Sequence, residues 1–389
     1  MEFELWYLLL VPVLFGAGWF SRSFDIKEKK SVADETQTLY KGLDLLLDNK
    51  KDQALNSLVN LAKIDPDTVE LHFALGTLYR KRGDYDRAVK IHNHLYNRAD
   101  LSKKERARAL FSLGQDYLKA GLWDRAEDSF RKTADLESDY KVRAIKELVN
   151  IYESEKEWLK AIDEAHILEK VTGETYPSRI SHLYCELTLQ CMFFKKFDEA
   201  AHYLQQAIHA DPNNKRALIM QGTMLQKQGK LDEAIEVWKQ VGKISPEYET
   251  LVVASVADTL LKAGKEADAV RYLESVAEKG TNSDSVDAAV DWICKIEGPE
   301  NALEFLRRYL SQKKSLIGFK RLTDLRLAQD PDNKELKELS DFLKNQIDKT
   351  VRYKCNKCGF VTKSFQWQCP GCRNWDSFAP VRSEDPSRI

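Results

Sequence analysis

Four cysteines near the carboxy terminus carry the clearest chemistry in this 389-residue sequence. They form two C-x-x-C pairs, Cys355 with Cys358 and Cys369 with Cys372. Two residues between cysteines let both thiolates face one ion from a tight turn, and two such pairs complete a tetrahedral four-sulfur site. The pattern predicts one bound metal ion, either iron or zinc, because tetrahedral sulfur sites accept both.

The predicted site is closed. Four thiolate ligands leave no coordination position for water or substrate, which favours a structural or recognition role over hydrolysis. Gly359 and Gly371 are expected to supply the positive φ that such metal knuckles need. Disulfide bonds are the alternative, and a cytoplasmic location argues against them. Six aromatic residues are expected to wrap the metal: Tyr353, Phe360, Phe365, Trp367, Trp375 and Phe378.

The stretches C-x-x-C-G and C-P-x-C resemble the two metal knuckles of rubredoxin. The loop between the pairs is much shorter than in free rubredoxins, so this stretch is closer to the rubredoxin-like or zinc-ribbon modules appended to larger proteins. The resemblance implies a small domain of this fold over residues 351–378. It leaves the choice between iron and zinc open.

A recurring alanine organises the rest of the chain, with spacings of 33 to 39 residues. A small or β-branched residue stands twelve places before each alanine, as Gly222 does before Ala234, and a turn residue such as Gly229 lies between. This pattern predicts helical hairpins that approach closely at the small residues. A non-repetitive helical bundle is the alternative, and eight anchors in near-constant register argue against it. The anchors are Ala54, Ala88, Ala126, Ala161, Ala200, Ala234, Ala269 and Ala302.

The period and its Gly, Tyr, Ala and Pro places resemble the tetratricopeptide repeat. The resemblance implies an all-α fold, a tetratricopeptide-repeat α-solenoid with eight hairpins over residues 37–311 and degenerate capping helices over 312–350. Each hairpin of such an array packs on its neighbours, so a chain of this length needs no single core. Residues 379–389 are predicted to be a flexible tail.

An apolar stretch from Phe3 to Phe20 is interrupted only by Glu4. At ~1.5 Å per residue a helix of this length reaches roughly 27 Å, close to the hydrocarbon thickness of a bilayer. Residues 1–20 are therefore predicted to be a transmembrane helix, followed by a juxtamembrane linker over 21–36. A cleaved signal peptide is the alternative, but no cation precedes the stretch and no A-x-A site follows. Basic residues follow it, which places the amino terminus outside and the body in the cytoplasm.

Composition and motifs bound the function classes. The formal net charge of −1 provides no field that would attract nucleic acid, so none is expected as a partner. No nucleotide-binding, zinc-protease or serine-hydrolase motif occurs, and the chain is not expected to be an enzyme. Cys185, Cys191 and Cys294 fall within predicted helices and are expected to be buried thiols.

The repeat register predicts which side chains line the inner face of the array. Basic residues line its middle and acidic residues, among them Asp287 and Asp291, line one end. Such a groove suits an extended partner segment of matching charge. The alternative is an ordinary solvated helix face. The predicted partner-binding residues are Arg80, Arg108, Arg143, Lys146 and Arg216.

The order of these parts resembles the lipopolysaccharide assembly protein B family of Gram-negative bacteria along the whole chain. The local matches are the segments from Tyr353 to Phe360 and from Trp367 to Trp375. The resemblance implies a regulatory adaptor of the bacterial inner membrane, with a periplasmic amino terminus, that brings the lipid A precursor deacetylase to the FtsH membrane protease for degradation. It also implies an inner-membrane lipopolysaccharide sensor protein and other lipopolysaccharide enzymes as partners. Whether the chain forms a homo-oligomer stays open.

Two other classes of function stay open. A rubredoxin-type electron-transfer protein tethered to the membrane would hold iron and show reversible reduction. A zinc-ribbon nucleic-acid-binding protein would use the local basicity of the module, and its retention on nucleic acid would depend on salt. The basic residues are Lys354, Lys357, Lys363 and Arg373.

Overall fold

The chain divides into two compact units, Met1–Glu174 and Thr175–Ile389. The predicted transmembrane helix at residues 1–20, the linker at 21–36 and Ala54 lie outside the residues that the structure describes. None of the described helices has the length and apolar character needed to cross a bilayer. The computed structural model describes residues 53, 55–59, 68–136, 138–279, 283–350 and 353–379.

The described part of the first unit consists of antiparallel helical hairpins. Each hairpin pairs an odd-numbered helix with the even-numbered helix that follows it. The helices are α1 (Val69–Arg82), α2 (Tyr85–Asn97), α3 (Lys103–Lys119), α4 (Trp123–Asp135), α5 (Lys141–Glu155) and α6 (Trp158–Thr172).

The second unit continues the hairpins and ends in a small β module. The described residues of both units are helical outside this module, so the predicted all-α class is confirmed. The helices are α7 (Pro177–Phe193), α8 (Phe197–Ala210), α9 (Lys215–Lys227), α10 (Leu231–Ile244), α11 (Val253–Lys262), α12 (Glu266–Lys279), α13 (Ser283–Glu297), α14 (Pro299–Gln312), α15 (Leu316–Gln329) and α16 (Lys334–Thr350), with a 3-10 helix at Pro246–Leu251. The strands β1 (Tyr353–Lys354) and β2 (Val361–Thr362) pair antiparallel.

The turns inside the hairpins depend on residues in the left-handed conformation. Gly229 has a φ of 79° between α9 and α10, where a residue without a Cβ turns the chain at little cost. Lys195 has a φ of 61° in the corresponding turn between α7 and α8. A lysine in this conformation is strained relative to glycine, so the surrounding hairpin must hold it there.

The recurring alanines lie where the helices pack most tightly. All seven from Ala88 to Ala302 have no exposed surface, as the pattern predicts. A Cβ built on Gly222 would lie 2.4 Å from Nε1 of Trp238, four residues after the anchor Ala234. The glycine therefore makes room for the large side chain that follows the alanine by one helical turn, in addition to the close approach of the helices.

A polar cluster ties the hairpins of the first unit together. His92 and Asp116 are fully buried, and Nδ1 of His92 lies 2.5 Å from Oδ2 of Asp116. Arg80 donates to the other carboxylate oxygen at 2.8 Å and to the carbonyl of Ser112 at 3.0 Å. Arg80, predicted to bind a partner, thus connects α1 to α3.

The last hairpin, α15 with α16, occupies the place of the predicted cap. The Ser340 hydroxyl of α16 donates to Oδ1 of Asp324 on α15 at 2.8 Å. Phe319, Leu339 and Phe342 are nevertheless exposed. The surface of this hairpin is therefore less polar than the pattern predicts.

Candidate metal centre

The four cysteine sulfurs of the carboxy-terminal module lie within 4.8 Å of one another. Sγ of Cys355 is 3.7 Å from Sγ of Cys372, and Sγ of Cys358 is 3.7 Å from Sγ of Cys369. With metal–sulfur bonds of ~2.3 Å, the edge of a tetrahedral four-sulfur site measures about 3.8 Å. The thiols are free and too far apart for disulfides, so the four residues fit a single metal ion.

Two similar turns position the sulfurs. The Gly359 amide donates to the Cys355 carbonyl at 3.0 Å, and the Arg373 amide donates to the Cys369 carbonyl at 2.8 Å. Gly359 has a φ of 76°, as predicted, whereas the prediction for Gly371 is wrong. The left-handed residue of the second turn is Arg373, with a φ of 58°, because this conformation falls just after the second cysteine of each pair.

Gly371 serves close packing instead. A Cβ built there would lie 3.3 Å from Cδ2 of Phe360, so the glycine lets this ring cross the second turn. Phe378 is fully buried against Cys355 and Cys369. Phe360 and Phe378 therefore pack against the cysteine turns, as predicted.

Hydrogen-bond donors surround the sulfurs. Burial raises the pKa of the Cys355 thiol, but donors from the Ser377 side chain and the Cys358 backbone outweigh burial and hold that pKa at about 6. Nδ2 of Asn374 donates to Sγ of Cys372 at 3.3 Å and lowers the pKa of that thiol. These donors favour the thiolate form at Cys355 and Cys372, the form in which cysteine binds a metal. At Cys358 the Phe360 backbone donor is outweighed by burial and the neighbouring cysteines, which raise the pKa of that thiol.

The module packs on the helices of the second unit, as expected. Phe365 and Trp367, predicted to wrap the metal, also pack against the hydrophobic core formed by α9 to α12. The ring of Trp367 stacks on Tyr248 of the 3-10 helix, with centroids 5.7 Å apart. The Tyr248 hydroxyl donates to the Phe378 carbonyl at 3.2 Å.

A second set of contacts centres on His182 of α7, which is fully buried. Its ring stacks on Trp375 with centroids 4.8 Å apart, and its Nε2 lies 3.0 Å from Oδ2 of Asp376. The approach to the carboxylate is bent outside hydrogen-bond geometry, which leaves a close polar contact. Burial would raise the pKa of Asp376, but His182, Lys215 and Ser178 hold it below its ordinary value.

The predicted partner-binding residues fall into two groups. Arg216 is 7% exposed, donates to Glu186 at 2.8 Å and lies 5.7 Å from the ring centroid of Trp375. It therefore lies beneath the metal module. Arg80 lies in the polar cluster of the first unit.

Arg108, Arg143 and Lys146 are more accessible. Nη1 of Arg108 lies 2.6 and 2.8 Å from the two carboxylate oxygens of Glu70, and the guanidinium covers the ring of Phe73. Arg143 lies 4.5 Å from the ring centroid of Phe111 and is exposed, as is Lys146. Arg143 and Lys146 offer positive charge at the surface of the first unit, whereas the charge of Arg108 is paired with Glu70.

The predicted acidic end carries its own counter-charge. Nε of Arg321 lies 2.6 Å from Asp287, and the same guanidinium contacts Asp291. Asp287 and Asp291 of α13 are therefore paired with Arg321 of α15. This pairing reduces the charge that they could offer to a partner.

The three cysteines outside the module lie in helices. Cys185 and Cys191 are buried, as predicted, and Cys294 is half-buried. Burial raises the pKa of Cys185 to about 12, so this thiol stays protonated and inert.

Known proteins and family models match both the metal module and the helical repeats of this chain. A family model described as rubredoxin metal binding domain matches residues 353–380, and tetratricopeptide repeat models match residues 66–136 and 194–247. Lipopolysaccharide assembly protein B of Escherichia coli (strain K12) is 34% identical over 389 residues, covering 98% of this chain and 99% of the relative. The chain belongs to the lipopolysaccharide assembly protein B family. The family member of Haemophilus influenzae is 26% identical over 396 residues, again covering 98% of this chain and 99% of the relative.

Among solved structures, a tetratricopeptide repeat protein from Parabacteroides merdae is 14% identical to this family member. The match covers 80% of this chain and 99% of that chain, with a TM-score of 0.33. A score this low supports no conclusion, so the family assignment depends on the sequence relatives.

Sequence reasoning missed the residues that fasten the module to the helices of this family member. His182, Tyr248 and Asp376 carry no motif, and no spacing rule connects α7 or the 3-10 helix to the end of the chain. One signal was available. Trp367, Trp375 and Asp376 crowd around the cysteines of a module with few core positions, so some of these side chains had to face another surface.

Proposed function

We propose that this protein is a non-enzymatic, membrane-tethered adaptor in the control of lipopolysaccharide synthesis. The observation that carries the proposal is the match of 98% of the chain to relatives named lipopolysaccharide assembly protein B. The helical hairpins support an adaptor role, because repeat arrays of this kind present extended binding surfaces. A metal module fastened to the hairpins supports the same role, since its closed ligand set offers no site for substrate.

The adaptor presents the lipid A precursor deacetylase to the FtsH membrane protease for degradation. Residues 1–20 anchor it in the bacterial inner membrane, with the amino terminus in the periplasm and the body in the cytoplasm. Anchoring places captured substrate beside a membrane protease and raises its effective concentration there. The inner-membrane lipopolysaccharide sensor protein and other lipopolysaccharide enzymes are further partners.

The metal ion, iron or zinc, supplies a structural cross-link between the two cysteine turns. Cys355, Cys358, Cys369 and Cys372 hold it. Because the docking side chains lie close to these cysteines in sequence, the cross-link also orients the surface that meets α7 and the 3-10 helix.

The accessible basic side chains of the first unit form part of the surface that receives a partner segment. Arg143 and Lys146 offer charge directly, and Arg108 offers its charge when a partner carboxylate replaces Glu70. Arg80 and Arg216 support the binding surface indirectly, by holding neighbouring side chains in place, since both are engaged in internal ion pairs.

Affinity capture from the native cells tests the proposal. The full-length chain is solubilised from membranes, and co-purifying proteins and bound metal are measured in the same sample. We expect the protease and the deacetylase to be recovered, and the protease to be lost when the chain starts at Ser31. The proposal would be contradicted if the sample contained iron and redox enzymes but neither the protease nor the deacetylase.

The Arg108→Glu, Arg143→Glu double variant tests the binding surface. We expect it to keep the protease, which meets the anchor, and to lose most of the deacetylase. Its matched control is Arg271→Glu, an exposed arginine of the second unit that pairs with Asp268. Equal recovery of the deacetylase by both variants would remove the basic residues from the binding surface.

A further inference from the structure

The turn between α7 and α8 exposes an unusual amount of aromatic surface. Phe193, Phe194 and Phe197 are 81%, 61% and 60% exposed. The rings of Phe193 and Phe194 meet edge to face with centroids 5.3 Å apart, so they form one apolar tip. Contiguous exposed apolar surface of this kind marks a contact site.

The other hairpins show that the fold does not require these two rings. Phe193 stands seven residues before the anchor Ala200, and Phe194 stands six before it. Gln228 holds the place of Phe194 in the next hairpin. Phe197, by contrast, holds a place that is aromatic elsewhere, as in Trp158. Five other hairpins have lysine in the place of Phe193: Lys81, Lys119, Lys227, Lys262 and Lys295.

The backbone presents the tip on a closed turn. The Lys195 amide donates to the Met192 carbonyl at 3.1 Å, and the Lys196 amide donates to the Cys191 carbonyl at 2.9 Å. Lys195 lies in the left-handed conformation, as noted above. The rings are therefore held outward by an ordered turn, which lowers the entropic cost of using them for binding.

Lysines accompany the rings. Lys195 and Lys196 directly follow Phe194, and Lys196 contacts the exposed Glu199 at 2.9 Å within the first turn of α8. The next two turns of this type in the second unit also carry lysines, and Lys265 reaches back to Asp232 at 2.7 Å, which places those turns along one edge. That edge carries Lys227, Lys230, Lys262 and Lys265, of which the last three contact Glu233, Asp258 and Asp232, respectively.

We propose that the tip from Phe193 to Phe197 inserts into the surface of an anionic lipid bilayer. The proposal rests on the proposed tethering of the body beside the inner membrane. Exposed aromatic rings enter the boundary between headgroups and acyl chains, while adjacent lysines keep their ammonium groups among anionic headgroups.

The shape of the tip favours a bilayer over a protein partner. Rings that project from a turn fit a deformable surface, whereas protein partners of apolar side chains usually require a preformed pocket. A single tip of this kind binds weakly by itself, so it would orient a body that another segment already anchors.

The test uses the full-length chain in vesicles of equal parts phosphatidylcholine and phosphatidylglycerol. An environment-sensitive fluorescent amino acid replaces Phe193, and lipids with brominated acyl chains serve as the quencher. The matched control carries the same amino acid at Asn213, exposed at the other end of α8 and about 20 Å away along the helix. We expect blue-shifted, quenched emission at position 193 and unquenched emission at position 213.

A second variant guards against local misfolding. Phe193→Lys combined with Phe194→Gln installs the residues that other hairpins carry, so it should fold as well as the parent. The probe is then placed at position 197 in both the parent and this variant. We expect its quenching by brominated lipid to be about tenfold weaker in the variant, because two apolar side chains no longer enter the bilayer. The anchor keeps both chains in the vesicles.

Emission at position 193 that is not quenched by brominated lipid would overturn the inference. A shift that appears only when a purified partner protein is added would overturn it in favour of a protein contact. Neither result depends on capture of the protease or the deacetylase, so the proposed adaptor function stands or falls separately.

Discussion

His182 and Asp376 meet at 3.0 Å, Nε2 to Oδ2, and join the first helix of the second unit to the loop that follows the last cysteine. Asp376 comes four residues after Cys372, and Trp375, stacked on the same imidazole, comes three after it. A loop this short transmits the position of the cysteine turn to the docking residues. The metal site and the docked surface are therefore expected to form and loosen together.

Asp376→Asn should destabilise the docked module. The change removes the charge that faces a fully buried histidine, and contacts of this kind contribute about 1–3 kcal/mol. Thermal unfolding of the full chain measures the loss. The matched control is Asp268→Asn, which removes one partner of an exposed ion pair and should change the midpoint little. Equal midpoints for both variants would contradict a docking role for Asp376.

The same carboxylate predicts a pH dependence. The folded protein holds the pKa of Asp376 below its ordinary value of 3.8. Its contribution to stability is therefore present above pH 3.8 and lost as the pH falls through the lower, folded-state pKa. The difference in unfolding midpoint between the parent and Asp376→Asn should shrink over that acid range. Acid also releases the metal from both chains, so bound metal is measured at each pH. A difference that stays constant through this range while the metal is retained would reject the assignment.

Cys355→Ser should release the metal and loosen the docked surface. A hydroxyl is a poor substitute for a thiolate in a tetrahedral sulfur site, and the module is too small to keep its turns without the ion. Metal analysis and hydrogen exchange along Pro246–Leu251 measure the two effects. Cys294→Ser, in a half-buried helix position, is the control and should keep one metal per chain. Stoichiometric metal in Cys355→Ser would refute the ligand assignment.

Gly222→Ala should destabilise the hairpin of α9 and α10. The added Cβ meets Trp238 at 2.4 Å, and overpacking of this kind costs about 1–3 kcal/mol. Combining it with Trp238→Leu tests the cause, because neighbours that share one space are not additive. The double variant should lose less stability than the two single variants together. Strict additivity would show that the glycine serves another purpose.

Periodicity alone predicted much of this fold. Ala234 and the other anchors from Ala88 to Ala302 are buried because the repeat places a small residue where the two helices of a hairpin meet, and that rule is local. The four-sulfur cluster was equally predictable from the sequence, since two tight turns of fixed spacing leave little freedom for Cys355 and Cys369. Both results depend on short-range geometry.

The docking of the metal module on the helices could not be predicted, because it depends on contacts between residues that are distant in the sequence. His182 and Asp376 are far apart in the chain, and their contact depends on how the module lies on α7. The second knuckle shows a smaller failure: glycine suggested a positive φ at Gly371, but Arg373 takes that conformation. The glycine correctly indicated that the second turn contains a left-handed residue, but the geometry of the turn determines that this residue is Arg373.

Reconstituted proteolysis tests the central claim most directly. Purified FtsH-type protease and the full-length chain are placed in the same vesicles, and the decay of added lipid A precursor deacetylase is followed with and without the chain. The adaptor account predicts faster decay with the chain, a loss of that gain in Arg108→Glu, Arg143→Glu, and no gain when the chain starts at Ser31. Identical decay with and without the full-length chain would contradict it.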